Sequence, residues 1–179
     1  METDGKPEGS WFAQHPVSES LLVQIGDITV SFALLESSLC SFIRSMIAED
    51  QRIGQIITAE LSFKNLRALG ISLYKERHGE DSGFQDLRKL MKRAGQLESK
   101  RNVITHSTWG AGDCVASATR FKTTAKESGG LRFKFEKLGE QELKRIAHEM
   151  KILTHDITRF WIDLIEQGKA VNNPFKRIW

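Results

Sequence analysis

The chain has 179 residues, 40% of them apolar, enough to bury one core and too few to make two domains the default. Its two cysteines, Cys40 and Cys114, lack the number and spacing of a disulfide framework or a zinc site, so neither metal nor cofactor is expected, and a net charge of +3 permits a polyanionic partner without demanding one. The opening METDGKPEGS is not a secretory signal, and no segment approaches the ~18 uninterrupted apolar residues of a membrane span, so the expected setting is soluble and cytoplasmic, with no membrane partner.

Residues 1–17 are rich in Gly, Pro, Ser and Glu and read as a flexible lead-in, with Trp11 and Phe12 as its only anchors. Leu21, Ile25, Ile28, Phe32, Leu35, Leu39, Phe42 and Met46 then recur at alternating steps of four and three, the apolar face of a long amphipathic helix. A second helix is predicted over 51–77, with Ile53, Ile57, Leu61, Leu66, Leu69 and Leu73 facing inward and HGEDSG ending it in turn chemistry. A third runs from Phe84 to about His106 on the stripe Leu87, Leu90, Ala94, Leu97, Arg101, Ile104. Between 110 and 137 the period falls to two: CVASATRFKT and LRFKF alternate on either side of the turn KESGG, which reads as a β-hairpin inserted between helices. A last helix covers 140–167, followed by a basic and aromatic tail at 169–179 containing Pro174, Phe175 and Trp179. The expected fold is mainly all-α: a helical domain at 18–168, built as a four-helix antiparallel bundle with the hairpin as an appendage.

The third stripe raises a question of chemistry, because Arg101 continues an apolar face. A charge withdrawn from water needs a partner. Glu36, on the shoulder of the first helix's stripe, and Glu98, one turn before Arg101, are the two candidates. Residues five apart on a helix point about 140° from each other, so His106 shares a face with Asn102 rather than with Arg101. If the helix loosens near Ser107, His106 can swing toward Arg101 and Asn102 can orient its imidazole.

Arg101 and Asn102, followed by three residues and His106 at the end of the third helix, resemble the Arg-x4-6-His signature of the HEPN-domain ribonucleases. The resemblance implies a HEPN-type four-helix bundle and a metal-independent endoribonuclease acting as a homodimer. It also implies a toxin or antiviral defence role against phage, and leaves room for a neutralising antitoxin or regulatory protein. Arg101, His106 and Asn102 would be catalytic. RNA carries its own nucleophile, the 2′-hydroxyl, so cleavage needs a group that moves protons and a cation for the phosphate, tasks that suit histidine and arginine. A two-fold dimer would bring two such pairs to one cleft. Lys100, Ser107, Thr108 and Trp109 are the candidate RNA contacts. The span 81–145 holds fourteen basic and eight acidic residues, a net of +6, and so carries the basic excess of the chain. The competing expectation is a non-catalytic helical dimer, an adaptor or regulatory partner, with Arg101 held by Glu36.

Overall fold

A computed structural model describes residues 16–47, 50–126 and 130–171. In chain order they form α1 (Glu19–Ile47), α2 (Gln51–Ala59), α3 (Phe63–His78), α4 (Ser82–Thr105), β1 (Thr108–Ala111), β2 (Ser117–Lys126), β3 (Gly130–Gly139) and α5 (Glu140–Glu166). The described residues are mainly helical, with one small antiparallel sheet in the order β1-β2-β3.

The three-four stripe of α1 becomes the centre of the core: Leu21, Ile28, Phe32, Leu35, Leu39, Phe42 and Met46 are all buried. On α5, Leu143, Ile146, Met150, Leu153, Ile157 and Leu164 are buried likewise, and the two stripes pack on each other more extensively than any other pair of helices. Each such side chain removed from water contributes about 1.5–3 kcal/mol. α1 has the length and apolar content to cross a bilayer, yet half of its most apolar window is buried inside the fold, as in a core helix of a soluble protein.

The helix expected over 51–77 is two helices. Ser62 starts the second by accepting a hydrogen bond from the Asn65 amide, so the chain turns between Glu60 and Ser62. The face α2 turns inward is also not the expected one. Gly54 lies against the Arg44 stem, at distances that leave little room for a side chain, and Thr58 accepts a hydrogen bond from Arg44 Nε at 3.0 Å. This small, polar contact swings Ile53, Ile56 and Ile57 out to solvent.

The break changes the topology. Phe32 meets Phe63 and Phe42 lies against Gly70, so α3 climbs in the same direction as α1. Asp27 pairs with Lys151, Ser38 with Thr158, and the Ser45 carbonyl with the Val171 amide, which makes α5 parallel to α1 as well. Arg93–Asp156 and Lys100–Glu149 set α4 antiparallel to α5. The expected antiparallel four-helix arrangement is therefore replaced by three parallel long helices and one opposed, because the short α2 carries the chain back down between α1 and α3.

The turn expected at HGEDSG is well built. Gly79 adopts a positive φ of 71°, and Asp81 caps α4 by accepting from the Phe84 amide at 2.9 Å. Tyr74 and Lys169 also donate to the Asp81 carboxylate, joining the ends of α3, α4 and α5.

The hairpin gains a third strand, since the chain leaving α4 pairs Thr108–Ala111 with Phe121–Ala118. Its alternating apolar face was not assigned a direction by its period; in the fold, Leu131, Phe133 and Phe135 point outward, while Ala118, Leu138 and Trp109 face the helices. The expected lead-in ends earlier than 17, because Val17 is buried; Trp11, Phe12, Phe175 and Trp179 lie outside the described residues.

Candidate active-site groove

α4 ends at Thr105, and His106 caps it, its backbone N–H donating to the Asn102 carbonyl at 3.1 Å. One and a half turns earlier Arg101 points across to α1, where its guanidinium carbon sits 4.9 Å from the centroid of the Phe32 ring. Its Nη1 donates to Asn102 Oδ1 at 2.9 Å, and its Nε is buried without a hydrogen-bond partner. Arg101 forms no ion pair among the described residues.

Arg101 and His106 line the same groove, about 490 Å³ in volume. Ile104, Thr105 and Trp109 extend the α4–β1 wall, and Pro16, Val17, Leu22, Ile25 and Thr29 form the opposite one. Of these, His106 is exposed and Arg101 is half-buried, so an open, mostly apolar trough presents one fixed cation and one imidazole.

Both expected partners of Arg101 are elsewhere. Glu98 is bonded to Arg67 at 3.1 Å, because the Arg67 side chain runs from α3 over Gly95, a position where any Cβ would collide with its guanidinium. Glu36 forms no ion pair or hydrogen bond with Arg101 among the described residues; Phe32, one turn earlier on α1, occupies the place under the guanidinium. Asn102 also plays a part other than the expected one: its amide oxygen holds Arg101, and only its backbone carbonyl reaches His106.

The candidate RNA contacts divide. Lys100 turns to the far side of α4 and pairs with Glu149 at 2.7 Å, outside the groove. Thr108 is exposed at the start of β1, and the Trp109 ring lines the groove while its Nε1 donates to the Ile104 carbonyl at 3.0 Å. Ser107 accepts from Arg120 Nη1 at 3.2 Å.

Arg120 was not singled out in the sequence beyond its charge. It is buried on the inner face of the sheet, where Nη2 pairs with Glu136 and Nη1 with Ser107, one residue after His106. The α1 wall of the groove, with Thr29 its polar member, was also missed. Its one sequence signal is that Ile25, Thr29 and Phe32 share a face of α1 that Arg101 crosses.

The arrangement can receive an anion. A permanently charged guanidinium held by a ring and an amide oxygen, with no carboxylate among the described residues to neutralise it, is poised for phosphate or carboxylate. An exposed imidazole on the same groove can accept or donate a proton. No family model, no curated protein and no solved structure matches this chain.

Proposed function

We propose that the chain is a metal-independent endoribonuclease of HEPN type, acting as a homodimer in the cytoplasm as a toxin or phage-defence effector. The observation that carries this reading is Arg101 itself: a half-buried guanidinium with no acidic partner among the described residues, on one groove with the exposed His106. Among the fourteen basic residues of 81–145, several are neutralised by carboxylates, Arg93, Lys100 and Arg120 among them; Arg101 has no carboxylate partner among the described residues.

In the reaction the RNA 2′-oxygen attacks phosphorus and the bond to the 5′-oxygen breaks. The 2′-hydroxyl proton leaves to a base and the 5′-oxygen takes one from an acid, giving a 2′,3′-cyclic phosphate and a 5′-hydroxyl end. Arg101 stabilises the charge that builds on the phosphoryl oxygens, and Asn102 keeps the guanidinium aimed. His106 moves one proton, and the second falls to the His106 of a partner subunit. Support for the dimer comes from Val23, Val30 and Leu34, an exposed apolar strip of α1 that an interface between two copies would bury.

The test is to incubate parent, His106→Ala and Arg101→Ala proteins with total RNA in a metal chelator and map the cut ends. The parent should leave cyclic-phosphate ends, both variants should lose activity by at least 100-fold, and DNA should be spared. Intact RNA, or cleavage by His106→Ala at the parent's rate, would refute the proposal.

A further inference from the structure

β2 and β3 form a ribbon whose two faces differ in a way that folding does not require. On the outer face, Phe121 registers with Phe135 and Thr123 with Phe133. The Phe121 and Phe135 rings lie 6.1 Å apart, and Phe133 and Phe135 are 61% and 67% exposed. Burial cannot account for rings that stay in water.

The inner face of the same stretch is cationic. Lys122 stands directly opposite Lys134, and Arg132 follows on the same face. Two like charges in register destabilise a strand pair. Glu136 pairs with Arg120 and, at 3.6 Å, with Lys134; Lys122 and Arg132 have no ion pair among the described residues. β1 registers only with Ala118–Phe121, so beyond Phe121 the ribbon has two open edges, around which long basic side chains can reach the outer face.

We propose that this ribbon is a stacking platform for single-stranded RNA, its phenylalanines taking bases and Lys122, Arg132 and Lys134 taking phosphates. A polyanion with a flat π face on every unit satisfies both anomalies together. A second copy of the ribbon satisfies only the first. From Ser117 to Gly139 the chain carries six basic and two acidic residues, a net of +4, and two such ribbons laid face to face repel. Phe133 and Phe135 are two residues apart on one strand, about 7 Å, so that successive bases can each take one ring. The platform begins at the groove: Thr108, two residues after His106, registers with Phe121. That the strand is RNA rather than DNA rests on the proposed function of the groove.

The test uses the full chain carrying His106→Ala, so that cleavage does not consume the probe, and fluorescein-labelled twelve-nucleotide U12, dT12 and duplex RNA in chelator, read by anisotropy. Adding Phe133→Ala or Phe135→Ala should weaken U12 binding about tenfold each, in line with the loss of one stacked base. Lys122→Ala with Lys134→Ala should flatten the logarithmic salt dependence by about 1.4, two phosphate contacts on a single strand. Duplex RNA should bind at least tenfold more weakly than U12. Affinities for U12 that ignore the phenylalanines, duplex bound as tightly as U12, or dT12 preferred to U12 would each overturn the platform. So would a dimer that Phe133→Ala dissolves with oligonucleotide affinity unchanged, which assigns the ridge to self-association. The two readings separate cleanly. Phenylalanine-dependent binding without any cleavage by the parent keeps the platform and removes the nuclease, whereas cleavage with phenylalanine-independent binding does the reverse.

Discussion

Arg101 and Arg120 both carry a buried, unbonded Nε atom, yet replacing each by glutamine should have very different consequences for stability. Arg120→Gln removes a guanidinium that is 4% exposed and is bonded to both Glu136 and Ser107. A hydrogen bond to a charged group contributes about 1.5–3 kcal/mol, so the two bonds together contribute about 3–6 kcal/mol; Glu136, 41% exposed, recovers part of its hydration when abandoned, and the unbonded Nε is relieved here too, which leaves a net loss of about 3 kcal/mol. In a chain of this size that lowers Tm by roughly 6–12 °C. Arg101→Gln removes a cation over the Phe32 ring, about 0.5–2 kcal/mol, and one hydrogen bond to Asn102. It also relieves an unbonded buried Nε and a charge half-withdrawn from water, a gain of about 1–3 kcal/mol, and the two nearly cancel. Calorimetry at pH 7 should therefore find Arg101→Gln within about 3 °C of the parent. An Arg101→Gln protein that melts as far below the parent as Arg120→Gln would show that Arg101 holds the fold together, and the inference from its missing carboxylate to an anion site would fail.

Leu39→Ala, at a position with no exposed surface, should cost about 2–5 kcal/mol in urea unfolding; a smaller loss would mean that α1 can shift to close the cavity. Asp81→Ala removes the cap of α4 and the common acceptor of Tyr74 and Lys169, and thermal melts should show a drop of several degrees that Asp81→Asn partly restores. The Tyr74 hydroxyl is pushed up to about 12, first by burial and then by Asp81, so its contribution is complete below the ordinary value of 10.0 and is lost as pH rises from there through about 12. Tyr74→Phe should flatten that alkaline limb, and an unchanged limb would deny the shift. The Asp81 carboxyl is held below its ordinary 3.8, first by Lys169 and next by the Phe84 amide, so its contribution is present above that value and disappears as pH falls through the lower folded one. Trp109→Phe deletes the indole bond to the Ile104 carbonyl, and hydrogen exchange at the amides of 105–108 should quicken about fivefold, the effect of about 1 kcal/mol; unchanged protection would mean that the sheet does not restrain the helix end.

Periodicity revealed the elements whose apolar face is also their contact face. α1 and α5 bury nearly every residue of their three-four stripes, so pattern and packing coincide. α2 fails that rule because its contact is made by Gly54 and Thr58, a small, polar pair whose value is close approach rather than area, and the isoleucines that dominate its pattern face water. The parallel course of α1, α3 and α5 hangs on that one break at Ser62, a cap of a single residue that is easily absorbed into a longer apolar run. Period two likewise identified the strands, but a period cannot say which face meets the helices, and here the more polar face does, through Arg120. At the site, Arg101 was legible as a charge on an apolar stripe. Its surroundings were not, because the competition for Glu98 is decided by Arg67 crossing Gly95, a contact between residues 28 apart in sequence.

The sheet is not the appendage that its position between two helices suggests. Ser18 Oγ, at the start of α1, donates to the Val115 carbonyl at 2.7 Å in the β1–β2 turn; Trp109 on β1 bonds the last turn of α4; and Arg120 on β2 bonds Ser107. These three bonds tie the opening of α1, the end of α4 and the base of the sheet into one piece, and the Trp109–Ile104 pair among them lines the Arg101–His106 groove. A helix end released from them would fray within its last turn, where His106 sits, while Arg101, more than a turn inside the helix and stacked on Phe32, would stay in place. The separation between guanidinium and imidazole is thus set by the sheet more than by the helix that carries both. Any chemistry that needs the two groups together depends on strands that the six-residue motif does not contain.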